Sequence, residues 1–509
     1  MLPFLNNTAN RTQRQIVTFR GINWSDQIQD GDLRDSLNLS ARRFPYLSTR
    51  RARRKMDAYS GATAMTARGA LVVVQGTDLI YDGSVVGQVI AGEKQFAVVN
   101  TKLVIWPDKV YLDLNSRTMG TLGASITGTG AEFAEDGTMT VTGWGDLTDK
   151  FRVGDGVTIS GCANEKNNQT VIITSLTANS MGVGKNVFAA ASETGSITIE
   201  RRIPDMDFIC ESENRLWGCS SEAQTIYASA LGDPTNFFQY NVKSTDSYAV
   251  PVGSDGAFTG CCKHTSSVLF WKETKLHKVL GSYPAEYSVY TYDIEGLQEG
   301  CSKSLQIINE VLYYKGLHGI YAYSGGVPTM ISQNFGMRDF VGGVAGNDGD
   351  TYYISVKDTD GSHLLAYETS SGLWMREDGT DAVDFARVGK ELYFLDSGGD
   401  VWLADSGEED KDLEWMAQFT PFYETAAGRK MYSKLLLRVE LPAGAWMRVE
   451  TRSDDGVWRE CGKIIGRDAD SVPVRVPINR CDSFEVRLSG HGPCTVRTMI
   501  LEYLVGSDV

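Results

Sequence analysis

Glu310-Val311-Leu312-Tyr313-Tyr314-Lys315-Gly316-Leu317-His318-Gly319-Ile320-Tyr321-Ala322-Tyr323 reads as two short apolar strands separated by a polar, glycine-marked turn. Runs of four or five residues rich in Val, Ile, Leu and Tyr suit pleated strands, and the turn residues between them mark a hairpin. The same unit returns along the chain. Arg215-Leu216-Trp217-Gly218-Cys219 precedes Thr225-Ile226-Tyr227-Ala228-Ser229, and Ser267-Val268-Leu269-Phe270-Trp271 precedes Lys275-Leu276-His277-Lys278-Val279. Further on, Thr351-Tyr352-Tyr353-Ile354 precedes Leu364-Leu365-Ala366-Tyr367, and Glu391-Leu392-Tyr393-Phe394-Leu395 precedes Asp400-Val401-Trp402-Leu403. These units start roughly 40 to 50 residues apart, the period of propeller blades, in which each small sheet needs neighbours to cover its faces.

Two earlier hairpins belong to the same series: Ala70–Val74 with Asp78–Tyr81, and Phe96–Val99 with Lys102–Trp106 and Val110–Leu112. The expected fold is therefore all-β: a six- or seven-bladed β-propeller with an inserted small β-barrel or sandwich domain and a C-terminal β-sandwich. The insert covers 116–202, where the blade pattern gives way to Gly, Thr and Ser with alternating strands such as Thr138–Thr142, Gly156–Ser160, Thr170–Thr174 and Ser196–Ile199. Blades are expected at 61–115 and 203–412. After the acidic turn Glu408–Asp412, residues 413–509 alternate apolar and charged residues, most clearly in Phe484-Glu485-Val486-Arg487-Leu488, as a two-layer sandwich requires.

Composition agrees with this pattern. The chain has 509 residues, too many for one core, and 42% of them are hydrophobic and 22% charged, as in folded proteins. Its 53 Gly against 13 Pro, with 22 Tyr, 19 Phe and 10 Trp, suit many tight turns between aromatic strands. No apolar run approaches the roughly 20 residues of a membrane-spanning helix, and the polar start carries no secretory pattern, so synthesis and retention in a cytoplasm are expected. Nine cysteines, scattered apart from Cys261-Cys262, form no C-x-x-C and read as small buried residues. The net charge of −15 disfavours a broad nucleic-acid clamp, while an acidic wall would let DNA pass without sticking.

Motifs for catalysis are weak. Gly182-Val183-Gly184-Lys185-Asn186 lacks the spacing of a phosphate loop, and a hairpin turn explains it. Cys261, Cys262 and His264 would alternate faces along a strand and so do not converge on one metal ion. His277, His318 and His363 fall in or beside blade strands. Ser453-Asp454-Asp455-Gly456-Val457-Trp458 faintly resembles a sialidase Asp box but suits a turn better, and sequence alone ties no two carboxylates to one cleft. The reading is a protein that is not an enzyme, with no catalytic, cofactor-binding or metal residues and no cofactor. The strongest charge signal is the basic stretch Arg42, Arg43, Arg50, Arg51, Arg53, Arg54 and Lys55, within an extended N-terminal arm at 1–60. In an acidic chain this cluster reads as a subunit-interface arm that docks on a neighbouring copy.

The runs Phe19-Arg20-Gly21-Ile22-Asn23, Asp35-Ser36-Leu37-Asn38-Leu39-Ser40 and Phe44-Pro45-Tyr46-Leu47 with Arg50 and Arg51 resemble the opening of tail proteins of tailed bacteriophages. Asn214–Gly218 with Ile226–Ser229 and Gly232–Phe237 is similar to their blade motif, and Phe151–Asp155 with Ile159–Gly161 resembles a small β domain common among them. The order of arm, propeller and sandwich resembles the tail hub or nozzle proteins of short-tailed phages. That resemblance implies a structural virion protein of the phage tail, assembled in the host cytoplasm. It would be a homo-hexamer or other cyclic ring, in contact with the portal or adaptor and other tail proteins, enclosing the conduit for ejected double-stranded DNA. The alternative is a carbohydrate- or receptor-binding tail module, with Trp271, Trp374 and Trp402 as sugar platforms if they are not core, and beyond that a glycan hydrolase.

Overall fold

The computed structural model describes residues 11–423, 429–467, 470–477 and 479–505. Residues 1–10 of the expected arm lie outside the described residues. Within those described there is no α-helix, and no helix long and apolar enough to cross a membrane. The chain divides into two compact units. One comprises the described residues up to Ala62, Ala67–Gly69 and those from Lys303 onward; the other comprises Thr63–Thr66 and Ala70–Ser302.

The quoted stretch forms the middle of a four-stranded antiparallel sheet, Gln306–Ile308, Val311–Lys315, Ile320–Tyr323 and Thr329–Met330, in sequence order. Its two central strands are almost wholly buried, and Tyr314 stacks on its cross-strand partner Tyr321 at 5.6 Å. The first turn is a two-residue loop with both residues in the left-handed region, Asn309 (φ 49°) and Glu310 (φ 67°), whose twist matches that of the strands. Six further sheets among the described residues have four strands. They cover 62–88, 95–121, 208–251 and 260–293, then 341–378, and finally 382–403. The last is completed by an N-terminal strand, Arg54–Ser60, which pairs with Asp400–Leu403.

Residues 124–201 form a separate seven-stranded sheet around their own core of Phe133, Trp144, Phe151, Phe188 and Ile197. Its strand order runs from Thr170–Ile172 through Gly156–Ser160, Ala191–Arg201, Ala124–Phe133, Thr138–Val141 and Ser180–Gly182 to Ser175–Leu176. The two end strands do not pair, so the sheet is open where a barrel was one of the two expectations. The two terminal strands have only three and two residues. Thr118–Thr121 belongs to the preceding four-stranded sheet, not to the insert.

The C-terminal sandwich is built from both ends of the chain. One sheet orders Leu39–Ser40, Leu47–Thr49, Thr495–Val505, Lys430–Glu440 and Asp470–Arg475, with Arg11–Ile16 also on Thr495–Val505 and Arg480–Cys481 on Lys430–Glu440. The other orders Leu33–Leu37, Glu414–Phe419, Ser483–His491, Trp446–Ser453 and Arg459–Ile465, with Phe422–Tyr423 on Ser483–His491. Their inner faces share one core in which Tyr432 of the first sheet stacks on Phe484 of the second at 4.0 Å.

The expectation of an extended arm is thus corrected for its described part: residues 11–60 contribute five strands. Arg-Thr-Gln-Arg-Gln-Ile and Arg-Lys-Met-Asp-Ala-Tyr-Ser offer little apolar alternation, and what holds them is backbone pairing to strands hundreds of residues away. Gly21 shows how close this threading is. A Cβ there would stand 2.2 Å from the Trp374 carbonyl oxygen, the acceptor of the Ile22 amide. Gly21→Ala must therefore move backbone, and it is expected to lower stability by about 1–3 kcal/mol, read as a reduced midpoint in thermal unfolding.

Candidate functional site

The basic cluster lies where the threaded segment crosses the 341–378 and 382–403 sheets and the sandwich. Arg42 follows the short strand Leu39–Ser40. It donates to Asp348, to the Tyr353 hydroxyl at 2.9 Å and to Asp405 at 2.9 Å. Burial works against its charge, and the Tyr353, Asp348 and Asp405 oxygens more than offset this, so its pKa is raised. Burial likewise pushes the Tyr353 phenol well up.

Arg53 makes the most enclosed contacts. Its guanidinium donates to Glu377 and Asp378, each at 2.7 Å, and to Thr380 at 3.2 Å, while its carbon sits 5.1 Å from the Phe394 ring centroid. The side chains of Arg53 and Glu377 are both 9% exposed. Burial pushes Asp378 up, but Arg53 and the hydrogen bonds from Thr380 pull it further, below the usual carboxylate range.

The remaining members are peripheral. Arg50 donates to Asn38 and to the Arg51 carbonyl, both at 2.8 Å, and Arg43 reaches Thr495 at 3.2 Å. Arg51 stands 3.9 Å from Asp405, and Lys55 donates to Asp400 at 2.5 Å beside the Trp402 ring. Arg54 is exposed on its strand. All therefore spend hydrogen bonds or charge on residues of the same chain, Arg54 only through its charge beside Tyr393. Sequence spacing brought the cations together; it carried no sign of Asp348, Glu377, Asp378, Asp400 and Asp405, which lie more than 290 residues away.

Two hollows flank Arg42. The smaller, about 280 Å³, is lined by Arg42, Arg43, Arg50, Arg51, Glu377 and Glu440 among others. The larger, about 1020 Å³, carries Asp348, Asp350, Glu368, Glu391 and Asp405 together with Arg42, Arg51, Arg387 and Lys390. The fold thus assembles several carboxylates on one concave surface, which the linear sequence could not place. Interleaved with cations in this way, the surface suits a polar ligand rather than a strong anion.

Other residues singled out in the sequence have structural settings. Trp271 and Trp374 are buried core residues, and Trp402 packs on Phe394 with its Nε1 donating to Asp396 at 2.8 Å, so none of the three forms an open platform. Asp454 and Asp455 both take left-handed φ in the turn between Trp446–Ser453 and Arg459–Ile465. Cys261 points into the core beside Cys219, and its neighbour Cys262 takes the opposite face.

His277 is fully enclosed, with Nε2 2.7 Å from the Ser254 hydroxyl and Nδ1 2.9 Å from that of Thr291. Burial, and behind it the charges of Lys272 and Lys275, lowers its pKa from 6.5 to about 4. Between these values the unfolded chain binds more protons than the folded one, so the stability this group supports is complete above pH 6.5 and lost as pH falls through the window. Moving from pH 7.5 to pH 5 is expected to cost about 2 kcal/mol through this group alone. Urea midpoints of the native chain and of His277→Gln at both pH values check this, with the smaller pH slope in the variant.

No family model matches the chain, and no curated protein does. Solved structures do. The exo-β-1,3-galactanase of Phanerochaete chrysosporium with galactose is 9% identical, over 56% of this chain and 92% of that one, with a TM-score of 0.24. Hsv2 of Kluyveromyces lactis is 10% identical over 55% and 91%, with a TM-score of 0.27. The extracellular domain of a one component system from B. thetaiotaomicron is 8% identical over 90% and 62%, with a TM-score of 0.38. Likenesses of this strength transfer no activity to the chain. The exclusion of catalysis read from the sequence is nonetheless withdrawn, because a galactanase stands among the similar structures. The sequence motifs consulted could not support that exclusion, since acid–base carboxylates are brought together by folding and leave no fixed spacing.

Proposed function

We propose that the four-stranded sheets are blades of a six- or seven-bladed β-propeller, the last completed by the N-terminal strand Arg54–Ser60, and that the chain is a structural subunit of a short-tailed-phage tail hub or nozzle. The observation that carries this reading is where the resemblance residues lie. Gly21 is pressed against the backbone of Trp374, and Asn23 is buried with its amide on Asp32 at 2.7 Å. Asn38 takes a left-handed φ of 57° and accepts from Arg50, and the Pro45 carbonyl accepts the Phe19 amide at 2.9 Å. The N-terminal runs that resemble phage tail proteins thus build the weave joining the N-terminus to the last sheets and the sandwich. A chain whose two ends are stitched into shared sheets resists opening from either end, which suits a wall under load.

The net charge of −15 supports a conduit that does not retain DNA. On this reading the subunit is assembled in the host cytoplasm, carried in the virion tail, and forms a hexameric or other cyclic ring against the portal or adaptor. Light scattering with negative-stain imaging of the full chain, alone and mixed with its portal and adaptor, tests it. Closed rings with a central hole are expected; a monomer under both conditions would count against it. A second reading, a carbohydrate-binding tail module, is favoured by a polar hollow near the N-terminal weave.

A further inference from the structure

We propose that the hollow between the 23–32 loop and the 333–337 turn is a binding site for a neutral oligosaccharide of two or three sugars. The hollow measures about 650 Å³, within the roughly 300–1,000 Å³ of small-ligand sites. It is lined chiefly by uncharged hydrogen-bonding groups: Asn23, Gln27, Gln29, Gln333 and Asn334, with Trp24 as its aromatic surface. A carboxamide offers two donors and an acceptor at one end, the pattern that matches vicinal sugar hydroxyls, each both donor and acceptor.

The side-chain amides of Gln27, Gln29, Gln333 and Asn334 make no hydrogen bond among the described residues, and Gln27, Gln29, Gln333 and Asn334 are all exposed. Their hydrogen-bonding capacity is therefore available to a ligand. The walls that carry them are fixed in advance. Buried Asn23 donates to Asp32 at 2.7 Å and to the Gln27 carbonyl at 2.9 Å, and accepts from Ser25 at 2.7 Å and 3.0 Å, while Asp32 also accepts the Gln29 amide at 2.7 Å. The two walls are tied by the Trp24 amide donating to the Asn334 carbonyl at 2.6 Å. The Trp24 ring is steadied by Phe335, with centroids 5.0 Å apart, by Arg338 at 4.2 Å, and by its own Nε1 donating to the Arg34 carbonyl at 2.8 Å. Such preorganisation spares a ligand the cost of ordering the loop.

Charge selects the class of sugar. One cation, Arg20, faces two carboxylates, Asp26 and Asp32, so the hollow has no positive excess to hold a sulfated or uronic-acid glycan or a nucleic acid phosphate. The proposal deepens the carbohydrate-binding reading and rests on the hollow's own residues, not on ring formation, so its failure is distinguishable from failure of the tail-hub reading.

The test is retention of the full chain on an array of neutral and anionic oligosaccharides, repeated with Gln29→Ala/Gln333→Ala. Both side chains are exposed and make no hydrogen bond, and the backbone bonds at both positions survive the change to Ala, so the variant should melt and sediment like the native chain. The expected result is retention on at least one neutral glycan, weakened by at least about tenfold in the variant, as the loss of two ligand hydrogen bonds implies. Retention confined to anionic glycans, retention unchanged in the variant, or no retention on any neutral glycan would each overturn the proposal. Ring formation by the same variant, followed by light scattering, separates failure of this site from failure of assembly.

Discussion

Removing residues 1–55 is expected to leave the unit that contains the sandwich unfolded, not merely unable to assemble. The truncation takes away the strands Arg11–Ile16, Leu33–Leu37, Leu39–Ser40 and Leu47–Thr49, and with them the buried side chains of Phe19, Ile22, Leu33, Leu39 and Leu47. At about 1.5–3 kcal/mol for each large apolar side chain, the loss is on the order of 8–15 kcal/mol, comparable with the whole stability of a domain. It also strips the partner from both Thr495–Val505 and Glu414–Phe419 and so bares sheet edges that invite aggregation. Circular dichroism and limited proteolysis of the truncated chain check this. A soluble product with a native melting profile would show that the weave is dispensable. A detachable latch, as the charge pattern alone suggests, would have given that benign outcome.

Arg53→Ala is expected to be the most damaging single substitution in the basic cluster. It leaves Glu377 and Asp378 without the guanidinium that each contacts at 2.7 Å, in a place where Glu377 is 9% exposed. Breaking an enclosed ion pair by removing one partner typically costs about 3–5 kcal/mol, because the remaining charge stays buried and unpaired. Urea unfolding should show that loss, and Arg53→Lys should recover only part of it, since an ammonium cannot present the planar fork that meets both carboxylates. Adding Glu377→Gln and Asp378→Asn to Arg53→Ala should restore stability, because the triple variant buries no unpaired charge. If the triple variant were as unstable as the single one, the defect would lie in lost packing on Phe394 instead. By contrast, Arg54→Ala and Arg51→Ala, at exposed positions, should fall within about 0.5 kcal/mol of the native chain.

The strands most legible in the sequence are the central pairs of each small sheet, such as Val311–Lys315 with Ile320–Tyr323 and Ser267–Trp271 with Lys275–Leu280. Both faces of these strands are covered, so every residue must be apolar or satisfied, and the run stands out. The flanking strands are hidden for the opposite reason. Ser288–Asp293 is exposed along nearly its whole length, and Val341–Asn347 has three glycines in seven residues, so neither carries a hydrophobic period. The burial of Trp271 and Trp374 follows from their place in covered strands and was the more economical reading from the start. Of the candidate sites, the seven basic residues were visible as charge, and the glutamines at 27 and 29 were not visible at all. Uncharged amides in a loop have no pattern until folding sets them opposite Gln333 and Asn334.

What the linear chain determined by itself was local: the all-β character, the hairpins and their spacing, and the concentration of positive charge at 42–55, because each depends on residues within a few positions of one another. What only the tertiary structure decided was pairing at long range. That Arg54–Ser60 completes the last small sheet, that Arg11–Ile16 lies along Thr495–Val505, and that Arg42 and Arg53 meet Asp348, Glu377 and Asp378 were all settled by it. Backbone hydrogen bonds are the same for every sequence, and an ion pair needs only opposite charges within reach, so a polar strand or a lone arginine does not name its partner. The choice is set by which sheet edges and buried carboxylates the packed apolar strands leave unmatched in the native fold, and the N-terminal segment matches these.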